Sequence, residues 1–298
     1  MFSMKNLGPL HYFLGMEVTR TASGFHLAQA KYIKDLLTRT NMADCKPIYT
    51  PSSSGRRFFL HDGEPVFDAT EFRSVVGALQ YLLFTYPDIA FSVNQVCQFM
   101  HSPTTVHWAT VKCILRYLKG THDHGMLYRP SSLSITAYAD ADYAGDPNDR
   151  RSIKGYCIFL CSNLISWCSK KQRGVSCSST EAEYNQLAYT AVTLSWFRNL
   201  FHDLHLYLTP PQLWCDNISA PAVASNSVFQ ARMRHVEVDY HYVCEKVTRK
   251  EIVVGYVASP DQVADFLTKG LSSNRFCFLL SKLPVLGRPI SLRGRDKL

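Results

Sequence analysis

The sequence predicts an α/β protein: a mixed five-stranded sheet flanked by helices, preceded by a smaller region made of a β-hairpin and mainly helices. Three observations predict it. From Leu133 onward three runs in succession, LSITAYADAD, SIKGYCIFLC and LISWCSKK, alternate apolar with polar residues at period two, as half-buried strands do. A long helical pattern follows, from about Thr180 to His205, and short strands then alternate with helices to give the order βββαβααβα. Ahead of Leu133 the apolar period is mostly helical.

The elements can be justified in chain order. LHYFLGMEVTRTASGFHLAQ reads as two strands around a Ser23-Gly24 turn, because aromatic and apolar positions alternate on either side of a turn dipeptide. In AKYIKDLLTRTNM, Tyr32, Ile33, Leu36 and Leu37 share one helical stripe. Cys45 to Pro65 is rich in Pro, Ser and Gly, with Arg56 and Arg57 in its middle, and reads as a linker over the surface. Helices are expected over Ala69–Tyr86, Ile89–Met100 and Val106–Lys119, broken by Pro87 and Pro103, so this stretch reads as an all-helical connector. Its aromatics Phe84, Tyr86, Trp108 and Tyr117 fall at helical spacing and read as core.

In the second half, Asn163 supports a turn between the second and third strands. Ser179 or Thr180 caps the long helix and puts Glu183 in its first turn. QLWCD is a short strand, Ser219–Ser225 and Val236–Arg249 are helices, EIVVGYV is a strand, and Asp261–Thr268 is the last helix. The stretch SSNRFCFLLSKLPVLGRPISLRG is amphipathic but interrupted by Pro284 and Pro289, and reads as a partly ordered tail.

Composition narrows the function classes. Lys+Arg 32 against Asp+Glu 24 gives a net charge of +8, shared evenly by the two halves, which suits a polyanionic partner without demanding one. Ten cysteines contain no Cys-x-x-Cys pair, so zinc-ribbon and thioredoxin readings fail, and their scatter points to a reducing compartment. No charged segment followed by a long apolar core opens the sequence, and no run approaches the ~20 apolar residues of a membrane span. A cytoplasmic or nuclear protein without a membrane partner is expected.

Four acids stand out for their settings: Asp140 in ITAYADADYAGD, Glu183 in SSTEAEYNQLA, Asp216 in QLWCDNISA and Asp265 in PDQVADFLTK. A strand ending in Asp delivers a carboxylate to a sheet edge, and a Glu on the inward stripe of a helix can meet it there. Gathered, the four would make a cage for hard divalent cations: two Mg2+ ions, with Mn2+ able to substitute. Close carboxylates repel by about 4 kcal/mol per pair at an effective dielectric of about 20, and bound cations relieve that cost. In this scheme Asp140 bridges both ions, Glu183 and Asp216 hold the ion near a leaving oxygen, and Asp265 holds the ion that activates water. Each acid also has a structural reading: Glu183 as a first-turn acid on the helix dipole, Asp216 with Asn217 as a strand-to-helix cap, Asp265 as a surface acid. Asp142, two positions beyond Asp140, reads as a solvated turn residue.

The flanking text settles the set. YADADYAGDPNDRRSIKGY, ISWCSKKQRGVSCSSTEAEYNQLA, WCDNISA, RHVEVDYHYVCEKV and DQVADFLTK resemble, nearly motif by motif, the ribonuclease H domain of copia-type retrotransposon Pol polyproteins. NLGPLHYFLGMEV, KYIKDLLTRTNM, CKPIYTP, FRSVVGALQYLLFTYPDIAFSVNQVCQFM and HWATVKCILRYLKGT resemble the last part of the same elements' reverse transcriptase. The resemblance covers essentially the whole sequence. It implies a palm-end hairpin and thumb helix over 1–44, a linker over 45–68, a helical connection over 69–130, a ribonuclease H domain over 131–270 and a tail over 271–298. It also implies a metal-dependent endonuclease acting on the RNA strand of RNA–DNA hybrids, other parts of a Pol polyprotein as possible partners, and metal-binding acids at Asp140, Glu183, Asp216 and Asp265.

The departures carry expectations too. The polymerase's Tyr-x-Asp-Asp hairpin belongs upstream of LGPLHYFLG, so no polymerase activity is expected. The mobile His of many ribonucleases H has no counterpart in VASPDQVAD, and His235 and His241 read as packing or capping residues. Gln186 and Pro221 look out of place in their helices. A hybrid is recognised by backbone shape and 2′-hydroxyls, so Arg150, Arg151, Lys170, Lys171 and Arg173 are candidate phosphate contacts, and Ser179 and Asn217 candidate ribose contacts. The alternatives are a transposon relic that has lost catalysis, a non-enzymatic nucleic-acid-binding module, and a DNA-directed nuclease of the same fold.

Overall fold

The computed structural model describes residues 8–55, 57–217 and 237–288. The reading of Ser219–Ser225 as a helix, and those made on Arg56, Pro221, His235 and the last residues, lie outside them. Among the described residues, two five-stranded sheets organise the molecule.

The first sheet contains β1 (Tyr12–Phe13), β2 (Met16–Thr21), β3 (Gly24–Ala28), β4 (His124–Tyr128) and β10 (Val285–Gly287), in that order and antiparallel throughout. The expected hairpin is β2–β3, turning where Thr21 faces Gly24. Gly24 lies in the left-handed region at φ 148°, and a Cβ there would sit 1.9 Å from the Tyr128 carbonyl oxygen, so this turn requires glycine. Two strands correct the sequence reading. β4 ends a connector expected to be all-helical, and β10 draws the expected tail into the sheet, pairing Val285 with Met126.

Helices α1 (Ala30–Arg39), α2 (Ala69–Leu82), α3 (Ala90–Cys97) and α4 (Thr105–Gly120) pack together around one buried cluster. Ile33, Leu36 and Leu37 are buried as the stripe requires, against Phe72, Leu79, Ile114 and Leu118. Asp68 caps α2 by accepting from the Thr70 and Glu71 amides. Tyr86 and Tyr117 are core and Trp108 packs against it, but Phe84 is exposed. The segment before α2 lies against both halves: Asn148 donates to the Phe58 carbonyl at 3.0 Å and accepts from the Leu60 amide at 3.0 Å.

The second sheet runs β7 (Asn163–Lys171), β6 (Ile153–Leu160), β5 (Ile135–Asp142), β8 (Gln212–Cys215), β9 (Val253–Tyr256). β5, β6 and β7 form the antiparallel meander, and β8 and β9 add in parallel on the other side of β5. This mixed sheet is the ribonuclease H-like α/β fold that the resemblance implies. Helix α5 (Ser179–Asp203) lies across β5, and α6 (Glu237–Thr248) packs on α5. Tyr184, Leu187 and Leu194 of α5 bury against Ile135, Ala137, Ile158 and Leu213. Gln186, which looked misplaced, is fully buried and donates to the Gly155 carbonyl at 2.9 Å and to Thr190 Oγ1 at 3.1 Å.

The expected last helix is instead two 3₁₀ turns, Ser259–Asp261 and Val263–Leu267. Pro260 opens this stretch and Gly270 follows it, leaving too few residues to repay helix nucleation. Helix α7 (Ser273–Leu280), capped by Ser272, then leads into β10. Phe266, Leu279, Leu283 and Val285 share a buried cluster with Met126 of β4 and Phe159 of β6. The stretch read as a tail is therefore the seam between the two sheets.

Candidate metal centre

β5 and β8 run parallel, so their carboxyl ends emerge at the same edge of the sheet. Asp140 lies near the end of β5 and is 2 % exposed, while Asp216 follows the last residue of β8. The turn Val263–Leu267 brings Asp265 to the same place, seated by the burial of Val263, Ala264, Phe266 and Leu267. One carboxylate oxygen each of Asp140, Asp216 and Asp265 lies within 4.8 Å of the other two.

Glu183 approaches from above. Helix α5 starts one residue earlier than expected: Ser178 is the cap, accepting from the Glu181 amide at 3.1 Å, and Glu181 is the first-turn acid. Glu183 is thus pushed into the helix body and buried, which removes its reading as a dipole-compensating acid. Its Oε1 accepts from the Ala141 amide at 3.3 Å, beside Asp140, rather than joining the group of three. Its Oε2 is buried without a hydrogen-bond partner among the described residues. An orphaned carboxylate oxygen beside three converging ones is costly in a protein alone and suits a hard cation as the missing partner.

The surroundings hold these acids in place. Gln262, fully buried, donates to the Ala139 carbonyl at 2.9 Å and accepts from the Ala264 amide at 3.2 Å, tying the Asp265 turn to β5. Thr268 donates its hydroxyl to Asp140 Oδ2. Lys269 Nζ lies 2.8 Å from Asp265 Oδ1 and 3.5 Å from Asp140 Oδ2, and Arg275 reaches Asp265 Oδ2 at 3.1 Å. Ser259 donates to Asp216 Oδ2 at 3.2 Å. Gly155, opposite Asp140 in register, has no Cβ to keep Leu267 and Thr268 away. Sequence reasoning missed Gln262, Thr268, Lys269 and Arg275. The i,i+4 spacing of Asp265 and Lys269 was a legible signal; the others depend on tertiary approach.

Burial first, then neighbouring carboxylates, push the Asp140 and Glu183 carboxyls well above the usual range. Burial works against a charged Lys269, but Asp140 and Asp265 outweigh it and hold the ammonium protonated beyond its ordinary range. A carboxyl whose pKa is raised on folding stabilises the protein below its unfolded pKa, and that contribution is lost as pH rises through the folded value. In chelator, stability should therefore fall between pH 7.5 and 9. Buried His26, His107 and His124 are shifted down and finish titrating below this window. Burial also raises the Cys97, Cys157, Cys168, Cys215 and Cys244 thiols, which steepen the same fall; Glu183→Gln should remove at most about 1.4 kcal/mol per pH unit of the slope, as read from urea melts at each pH.

Asp142 ends β5 outside the group of three. Of the candidate substrate contacts, Arg150, Lys170, Arg173 and Ser179 are exposed. Lys171 is not available as expected: it is paired with Asp146 at 2.8 Å and Asp149 at 2.9 Å, and Arg151 lies 3.7 Å from Asp149. The acids of the same loop take up these two cations. Asn217 closes the described stretch after β8. Lys154, 3.5 Å from the centre of the Tyr189 ring, is a cation the sequence reading did not single out.

A family model described as reverse transcriptase (RNA-dependent DNA polymerase) matches residues 1–54. The Pol polyprotein of transposon RE2 from Arabidopsis thaliana is 46% identical over 295 residues, 98% of this chain and 20% of that protein. An uncharacterized mitochondrial protein of the same plant, AtMg00810, is 47% identical over 196 residues, 65% of this chain and 81% of that protein. The chain belongs to the copia-type retrotransposon Pol polyproteins. It spans about a fifth of the length of the Pol polyproteins it matches; the tobacco relative from transposon TNT 1-94, 35% identical over 284 residues, is covered to 21%. Among solved structures, LC11-RNase H1 isolated from compost aligns at 17% identity over 46% of this chain and 94% of that one, with a TM-score of 0.37. That likeness is too slight to add to the strand order itself. In this copia-type Pol segment the second sheet carries the ribonuclease H-like strand order.

Proposed function

We propose that this Pol segment hydrolyses the RNA strand of RNA–DNA hybrids with divalent cations held by Asp140, Glu183, Asp216 and Asp265. The observation that carries this reading is the convergence of three strand-end and turn carboxylates beside a buried Glu183 with one oxygen unpartnered. When bound, paired Mg2+ ions would make a water nucleophilic and stabilise the leaving 3′-oxygen. The rest falls to the chain's own groups. The Ala141 amide fixes one Glu183 oxygen and so aims the other into the site. The Thr268 hydroxyl orients Asp140, Gln262 sets the height of the Asp265 turn over β5, and Arg275 fixes the Asp265 carboxylate. Burial of Asp140 and Glu183 limits competing water.

Arg150, Lys170 and Arg173 stand free to meet phosphates without reading bases. Cleavage should therefore be indifferent to sequence and sensitive to the 2′-hydroxyl. A gel assay of labelled RNA–DNA hybrid, double-stranded RNA and double-stranded DNA tests this. In Mg2+ only the RNA strand of the hybrid should be cut, and chelator should stop it. Cutting of DNA at a comparable rate would replace this reading with that of a DNA-directed nuclease.

A further inference from the structure

The carboxylates of the site are not equally supplied with positive charge. Asp265 faces two cations: Oδ1, which has no hydrogen-bond partner among the described residues, forms an ion pair with Lys269 at 2.8 Å, and Oδ2 accepts from Arg275 at 3.1 Å. Asp140 Oδ2 accepts the Thr268 hydroxyl and has the Lys269 ammonium at 3.5 Å. On the other side, Asp216 Oδ2 receives a neutral hydroxyl from Ser259 at 3.2 Å, and Glu183 Oε2 has no hydrogen-bond partner. Among the described residues, one half of the four-acid site already holds a cation of the protein's own, and the other half does not.

Resting on the metal-dependent reading above, we propose that Lys269 is a built-in competitor for the cation position between Asp140 and Asp265. Its ammonium must leave before an ion can be held there, so the two halves of the site load unequally: tightly on Asp140, Glu183 and Asp216, weakly on Asp140 and Asp265. Two features make the exchange feasible. The Lys269 side chain is 38% exposed, so its flexible stem has a path to solvent, whereas Asp140 at 2% has none. Arg275 stays on the far oxygen of Asp265 and keeps that carboxylate oriented while Lys269 is displaced. In the absence of divalent ions the ammonium offsets repulsion among the three clustered acids, which gives the lysine a structural role in the unloaded protein.

The test titrates the full chain with Mn2+ alone, counting bound ions by the loss of the free-ion paramagnetic signal, for the parent and for Lys269→Met. Methionine keeps an apolar stem of similar length and removes the charge. The proposal predicts a weaker step tightened at least tenfold in the variant, with the tighter step changed less than threefold. In chelator the variant should melt below the parent, and Mn2+ should raise its melting temperature by more. Lys269→Gln should behave the same way and stands in if the methionine variant does not fold. A weaker step unchanged or loosened in the variant overturns the proposal while leaving the metal site standing. If neither protein takes up Mn2+, the metal-dependent reading itself fails, and this inference with it.

Discussion

Replacing Asp140 with asparagine should lower hybrid cleavage at least about a thousandfold, roughly 4 kcal/mol of transition-state stabilisation, while the protein stays folded. Asp140 is the carboxylate on which the site turns: it sits on the central strand, close to Asp216 and Asp265, with Ala141 next to it receiving Glu183. Asparagine has the same shape and its Oδ1 can still accept from Thr268. Because burial penalises the Asp140 carboxylate, neutralising it should leave stability in chelator equal to or above that of the parent. The cleavage assay must therefore be read beside circular dichroism and a melt. Unchanged cleavage by a folded Asp140→Asn protein would remove the nuclease assignment. Loss of cleavage together with unfolding would trace the effect to packing instead.

The second large effect is expected at Gly155. A Cβ there would lie 2.7 Å from Thr268 Cγ2 and 2.8 Å from Leu267 Cβ, closer than real carbon contacts allow. Relief must come from β6 or from the turn, and β6 is held in register by both β5 and β7. The turn, a short 3₁₀ segment, is the part that gives, carrying Asp265, Thr268 and Lys269 away from Asp140. Gly155→Ala should therefore cost about 1–3 kcal/mol in urea unfolding, the usual cost of overpacking. It should also lower cleavage by more than tenfold. Gly77 of α2 is the control, since nothing lies within 4 Å of a Cβ placed there; alanine should stabilise that helix by about 0.5–1 kcal/mol. If Gly155→Ala matched the Gly77 control in both measurements, close approach of the turn to β6 would not be what sets the site.

How much of this was legible in the sequence depended on how local each determinant is. β5, β6 and β7 could be read because alternation over eight or nine residues is a strong period-two signal, and α5 because its helical pattern is long. The four acids were singled out as a set by the resemblance of their flanking motifs, since each alone also had a structural reading; the structure brings Asp140, Asp216 and Asp265 together with Glu183 beside them. β4 and β10 could not: each is short, and their pairing joins residues more than 150 positions apart, such as Met126 and Val285. Pro284 and Pro289 pointed to a partly ordered tail, yet prolines flanking the four residues VLGR do not stop Val285, Leu286 and Gly287 from pairing at an edge. The start of α5 was misjudged by one residue among three consecutive cap-competent side chains, Ser178, Ser179 and Thr180, which left Glu183 in the first turn where Glu181 stands. Lys171 looked available because loop charge was counted without its local acids, Asp146 and Asp149, which take it up. Lys269 lay in a quoted motif, but only the folded turn shows that its ammonium stands between two of the carboxylates.

The central claim is that four distant carboxylates meet as a cation site, and thermal unfolding of the full chain in Mg2+ against chelator tests it most directly. The account predicts a melting temperature that rises with the logarithm of Mg2+ concentration above the dissociation constant in the parent and does not rise in Asp140→Asn. Equal responses in the two proteins, or no response in either, would contradict it.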